Sequence, residues 1–139
     1  MFSEDNIIQL IKDGTSYKTA YGKERDYNLL ENAEMNVIYV GYSTIYNKTP
    51  TRTVEYSFYN SHGEDLVQSF DVSIVCLRKD IPKIWGDCFR ALIGKNPIPA
   101  EADRGGLTLA ESGPMGFTNN AVWWLNRWNI GFPTVYTIV

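Results

Sequence analysis

The residues best suited to chemistry are few and far apart. His62, the only histidine, sits beside Gly63 in Asn60-Ser61-His62-Gly63-Glu64, a run of turn formers. A catalytic imidazole needs a nucleophile and an orienting acid, and nothing local supplies either. This segment reads as a solvated hairpin turn. Cys76 and Cys88 fall on the apolar faces of a strand pattern and of the helix pattern after it. A metal site would need more soft ligands than two thiols and one distant imidazole. Redox Cys-x-x-Cys spacing is absent, so both read as small buried hydrophobes. Gly105-Gly106 precedes a strand pattern rather than opening a helix, the wrong context for a phosphate cradle. Glu101 and Asp103 read as a solvated loop, with a weak hard-cation site as the sharper alternative. Lys23-Glu24-Arg25-Asp26 is mixed in sign and reads as surface. The sequence assigns no catalytic, cofactor-binding or metal-ligating residue, and no enzymatic activity is expected.

What the chain concentrates instead is aromatic surface. Val122–Pro133 holds three of the four tryptophans. On a strand, Val122, Trp124, Trp128 and Ile130 share one face, and Trp123, Leu125 and Arg127 share the other. A strand apolar on both faces is either sandwiched or part of an interface. The tail Thr134–Val139 is apolar and has no obvious partner in sequence. It could fray, or it could add as a strand to another subunit's sheet. Trp123, Arg127, Val135, Tyr136, Ile138 and Tyr59 are therefore the interface candidates.

The elements that must position these residues fit one domain over 1–139, with 133–139 as a candidate extended carboxyl-terminal arm. The apolar fraction of 44% and charged fraction of 21% argue against disorder and for a packed core. Thirteen basic residues are scattered among sixteen acidic ones, for a net charge of −3. Direct nucleic-acid binding needs clustered Lys and Arg to neutralise phosphates and is disfavoured. The amino terminus has neither the basic nor the apolar region of a signal peptide, and no apolar run is long enough to span a bilayer. A reducing cytoplasm is the expected site of synthesis, and Asn47-Lys48-Thr49 reads as a fortuitous sequon.

Ser3 is placed to cap a helix whose apolar face is Ile7, Ile8 and Ile11, ended by Asp13-Gly14. A short strand is expected at Tyr17–Tyr21. Val37–Tyr46, Thr51–Tyr59 and Leu66–Leu77 read as an antiparallel meander with turns at Lys48-Thr49-Pro50 and Asn60–Glu64. Asp80 is placed to cap a second helix with Ile81, Ile84, Trp85, Cys88 and Leu92 at three-and-four spacing, ended by Gly94. Leu107–Glu111 and Ala121–Ile130 are the closing strands, joined through Ser112-Gly113-Pro114 and a loop at Asn119-Asn120. The fold class is α+β: a twisted, mainly antiparallel sheet, meander plus carboxyl-terminal hairpin, with two helices packed on it.

This order of elements resembles the tail terminator proteins of long-tailed bacteriophages, the family of the minor tail protein U of lambda-like phages. Asn36–Tyr42 is similar to the family's first central strand. Leu66–Leu77 running into Arg78-Lys79-Asp80-Ile81-Pro82-Lys83-Ile84-Trp85 is similar to its strand-then-helix step. Gly105–Met115 followed by Ala121–Ile130 is similar to its closing hairpin. The resemblance covers most of the chain but rests on patterns of residue type. It implies a structural virion protein, not an enzyme. Such proteins form rings, typically hexamers, at the head-proximal end of the tail. They cap the tail tube, stop its polymerisation and join it to the head or neck. The implied partners are further copies of the chain, the tail tube protein, a neck or head-completion protein and, where the tail has one, the sheath. DNA would pass through the channel without specific binding, and no cofactor or membrane is implied.

Two other readings stay open. A curved sheet carrying helices and many aromatics also suits a cone-shaped pocket for a hydrophobic ligand, as in isomerase-like folds, with Asp71 as the candidate acid. Another phage neck or tail-completion protein would share the same architecture.

Overall fold

The computed structural model describes residues 2–24, 33–47, 54–56, 61–97 and 106–137. Helix α1 spans Glu4–Gly14. It starts where the sequence predicts, because Ser3 and Asn6 form a reciprocal box. Ser3 Oγ accepts from the Asn6 amide at 3.3 Å, and Asn6 Oδ1 accepts from the Ser3 amide at 2.8 Å. Strand β1, Lys18–Tyr21, follows, then β2 (Val37–Asn47), β3 (Val54–Tyr56) and β4 (Ser61–Leu77). A 3-10 turn at Arg78–Asp80 leads into helix α2, Ile81–Leu92. Strands β5 (Thr108–Phe117) and β6 (Ala121–Thr137) are the last two described elements.

The architecture is α+β, an open mixed sheet with two helices. Its strand order is β1-β2-β4-β6-β5; β1 pairs parallel to β2, and the remaining pairings are antiparallel. Strands β2 and β3 do not lie side by side. Both pair with β4, β2 against Leu66–Val75 and β3 against Ser61–Gly63, so they share one edge of β4 end to end.

Three expected boundaries change. The expected hairpin turn at Asn60–Glu64 is strand from Ser61 onward, and His62 pairs with Glu55 on one side and Tyr136 on the other. Ser112-Gly113-Pro114 is not a connection but the middle of β5, where register shifts on either side absorb the turn-forming residues. Asp80 precedes α2 as expected, yet its side chain makes no capping bond; the 3-10 turn leads into the helix instead. Tyr59, and the remainder of the expected Thr51–Tyr59 strand outside Val54–Tyr56, lie outside the described residues.

The core follows the period-two parity of β4. Phe70, Val72, Ile74 and Cys76 face Ile38 and Val40 on β2 and Val122, Trp128 and Ile130 on β6. The helices close this face with Ile7, Ile8 and Ile11 from α1 and Ile84, Cys88 and Leu92 from α2. Phe2 joins the same cluster with 1% of its surface exposed. Gly94 ends α2 with φ +68°, a conformation that favours glycine. Its amide donates to the Leu107 carbonyl, and the Leu107 amide returns to the Lys95 carbonyl, both at 2.9 Å. The backbones are so close that a Cβ on Gly106 would fall 2.2 Å from the Gly94 carbonyl oxygen.

Candidate interface surfaces

The parity of β6 divides its tryptophans. Trp128 is fully buried beneath α2, where Phe89 lies 5.8 Å from it, centroid to centroid, and Trp85 stacks on Phe89 at 5.1 Å. Trp124, half-buried, packs at the margin of the same core. Trp123 faces the opposite side of the sheet, paired with Val75 on β4 and Gly116 on β5.

On that opposite face Trp123, Leu125, Arg127 and Asn129 form a row. Arg127 is the centre of an ion bridge across three strands. Its Nε lies 3.1 Å from Asp71 Oδ1, and its Nη1 lies 3.0 Å from Glu111 Oε2. Asp71, the acid that a pocket enzyme would use, is thus held by a guanidinium on the face away from the helices. One pair further along, Ser69 Oγ donates to Asn129 Oδ1 at 2.6 Å, and Asn129 Nδ2 donates to the Tyr46 hydroxyl at 3.1 Å. Gly113 leaves room beside this row. A cleft of about 340 Å³ opens there between Met115, Leu125 and Arg127.

The helix face carries a polar network that the sequence reading missed. Trp85 Nε1 donates to Ser112 Oγ at 2.9 Å and to Asn126 Oδ1 at 3.0 Å. Trp124 Nε1 donates to Ser112 Oγ at 2.8 Å, and the Ser112 hydroxyl donates to Asn126 Oδ1 at 2.6 Å. The network pins α2 to β5 and β6. One signal was available: Asn126 occupies the inward parity between Trp124 and Trp128, where a polar side chain needs a partner.

The carboxyl-terminal segment is not a free arm. Pro133–Thr137 pair with Asp65–Ser61 of the same chain, so Val135 lies opposite Gly63 and Tyr136 opposite His62. Ile138 lies outside the described residues. Strands β4 and β6 hold one register over the whole of Ser61–Leu77 and Ala121–Thr137. Strand β5 leaves β6 after the Thr108–Asn129 pair. From Ile130 to Thr137, a span of about 23 Å at the usual strand rise, the outer edge of β6 has no strand partner among the described residues.

Titratable side chains gather at one further place, a cleft of about 460 Å³ lined by Asp13, Tyr17, Lys83 and Asp87. The Tyr17 hydroxyl donates to Asp87 Oδ2 at 2.6 Å, Arg90 Nη2 bonds Asp87 Oδ1 at 2.6 Å, and Lys83 stands 3.8 Å away. The Tyr17 bond, aided by Arg90, holds the Asp87 carboxyl below its ordinary range. Burial and then the Asp87 bond raise the Tyr17 phenol, the opposite of what a tyrosinate nucleophile or base requires. Burial pushes the thiols of Cys76 and Cys88 up to about 11 and about 12, so neither is a reactive thiolate. Among the described residues no three His, Cys, Asp or Glu side chains gather to hold a metal. No protein-family model and no curated protein matches this sequence.

Proposed function

We propose that this chain is a structural virion protein of a tailed bacteriophage, a tail terminator whose copies form a ring on the tail tube. The ring would stop tube polymerisation and present a joint to the head or neck. The order of elements carries the family resemblance; the β4–β6 ribbon carries the physical argument. A ribbon that runs past β5, with one edge open among the described residues, is suited to receive a strand from a neighbour. A closed ring is built from such heterologous contacts, in which one surface meets a different surface of the next copy. Trp123 and Leu125, half-buried on the face away from the helices, add apolar area that a neighbour would cover.

In this reading the partners are other copies of the chain, the tail tube protein, a neck or head-completion protein and, where the tail has one, the sheath, and the site of action is the head-proximal end of the tail. The net charge of −3 suits a channel through which DNA slides, because like charge disfavours phosphate contacts. A strongly basic channel wall in an assembled ring would count against that last point.

Removal of Thr134–Val139 tests the ribbon's role. Loss of the ring with a folded protomer is expected, whereas unchanged assembly would remove the ribbon from the account.

A further inference from the structure

Two exposed apolar corners lie at opposite sides of the sheet, on the face that carries the helices. At the β5 corner Phe117 is 65% exposed, and the Arg78 guanidinium lies 5.4 Å from its ring centroid. Lys79 is exposed next to Arg78, with Asp80 the nearest acid in sequence, so this corner carries a net positive charge. Beside it a cleft of about 460 Å³ opens between Leu77, Arg78, Lys79 and the Asn119-Asn120 turn. At the β2 corner Tyr42 and Ile45 are 52% and 45% exposed, and the Tyr42 ring leans on Phe70 at 5.7 Å. The first turn of α1 reaches the stretch of β2 next to this patch: a Glu4 carboxylate oxygen is 3.9 Å from where a Cβ on Gly41, the neighbour of Tyr42, would sit, and Asp5 accepts from the Tyr21 hydroxyl, on the strand beside β2. Lys23, over the Tyr21 ring, offsets one of these two carboxylates, which leaves the corner net negative.

The two corners therefore match in character and oppose in charge. Each lies by a place where the sheet has an edge. Strand β1 leaves β2 after Val40, and β5 has β6 on one side only among the described residues. Pro114 and the register shifts blunt the β5 edge against simple strand addition. What this corner offers a partner is the Phe117 side chain with its basic rim. Surfaces on opposite edges of one sheet cannot meet within a chain, but they can meet between copies.

We infer that copies of this chain associate head to tail, with Phe117 and Arg78 of one copy seated on Tyr42, Ile45 and the Glu4–Asp5 turn of the next. This deepens the ring reading, on which it rests only for closure into a ring; the pairwise contact stands on the two corners.

The test uses the full chain carrying Phe117→Asp or Tyr42→Asp, both at sites more than half exposed. Sedimentation gives the assembly state. Each variant alone is expected to self-associate at least thirty-fold more weakly, roughly the loss of a central interface aromatic. Mixed together they should form a species of twice the protomer mass and nothing larger, since the mixture retains one intact knob and one intact seat. Arg78→Glu should weaken association, and Glu4→Lys in the partner copy should restore it. Variants that assemble like the parent chain, a mixture that stays monomeric, or a parent chain that is itself monomeric would overturn the inference. A ring of the parent chain that survives both variants would leave the ring reading standing and remove these corners. An open polymer that both variants abolish would do the reverse.

Discussion

Gln68 holds the amino terminus of the chain in the core. Its Oε1 accepts the Phe2 amide at 2.9 Å, and its Nε2 donates to the Phe2 carbonyl at 2.8 Å. Gln68 and Phe2 are each 1% exposed. A strand residue thus substitutes for the ladder partner that the first residues lack, and it does so at the point where α1 begins.

Replacing Gln68 by Leu would leave both backbone groups of Phe2 buried without partners. An unmade buried bond costs about 1–3 kcal/mol, so a loss of about 2–5 kcal/mol is expected. Urea unfolding should show a lower midpoint with unchanged slope. A change below about 0.5 kcal/mol would mean that the terminus is not anchored there.

The Gly94–Gly106 contact predicts a contrast between two glycines. Gly106→Ala would force the backbone apart and is expected to cost about 1–3 kcal/mol or more. Gly113, also in the β5 region, has open space where a Cβ would go. Gly113→Ala should be neutral or stabilise by up to about 1 kcal/mol. Thermal unfolding of the two variants side by side checks the ordering.

Arg127 touches Asp71 and Glu111 with about a third of its side chain exposed, so solvent screens the pair. A double-mutant cycle of Arg127→Met with Asp71→Asn should give a coupling of about 0.5–1 kcal/mol that shrinks at high salt. A coupling of several kcal/mol would mean that this face is covered in solution.

The Asp87 carboxyl is depressed, chiefly by the Tyr17 hydroxyl. A depressed acid contributes stability that is present above its unfolded value, about 3.9, and lost as pH falls through the folded value. Stability should therefore decline below about pH 4, and Tyr17→Phe should flatten that decline. An acid unfolding profile identical in the two proteins would exclude the cluster as its cause.

Buried thiols predict a chemical result. Cys76 and Cys88 should resist a thiol reagent at pH 8 while the chain is native and react fully in denaturant. Rapid modification of the native protein would contradict their placement in the core.

The sequence disclosed those features in which local pattern and burial agree. The Ser3 cap, the apolar stripe of α2 and the stop at Gly94 are local, and the structure keeps them. The alternation of β6 put Trp124 and Trp128 on one face and Trp123 on the other because strand parity has a period of two; that Trp128 is the buried one is decided by the helices above it, which spacing within the strand does not report. Turn chemistry misled where long-range pairing overrode it. His62-Gly63 and Ser112-Gly113-Pro114 are turn formers, but each is enlisted by the long β4–β6 ribbon. The tail partner was invisible because Thr134–Thr137 meets Glu64–Ser61 across some seventy positions of sequence. The Trp85–Ser112–Asn126–Trp124 network joins three elements, and no spacing within one element reports it. Of the interface candidates, Trp123 and Arg127 share a face, and Val135 and Tyr136 lie in the ribbon.

The mass of the purified chain in solution, measured by sedimentation and paired with negative-stain imaging, is the measurement on which the ring stands or falls. A closed ring of about six copies is expected, formed alone or on addition of tail tube. A protein that stays monomeric at every concentration and with tail tube, and gains thermal stability from small apolar ligands, would contradict it.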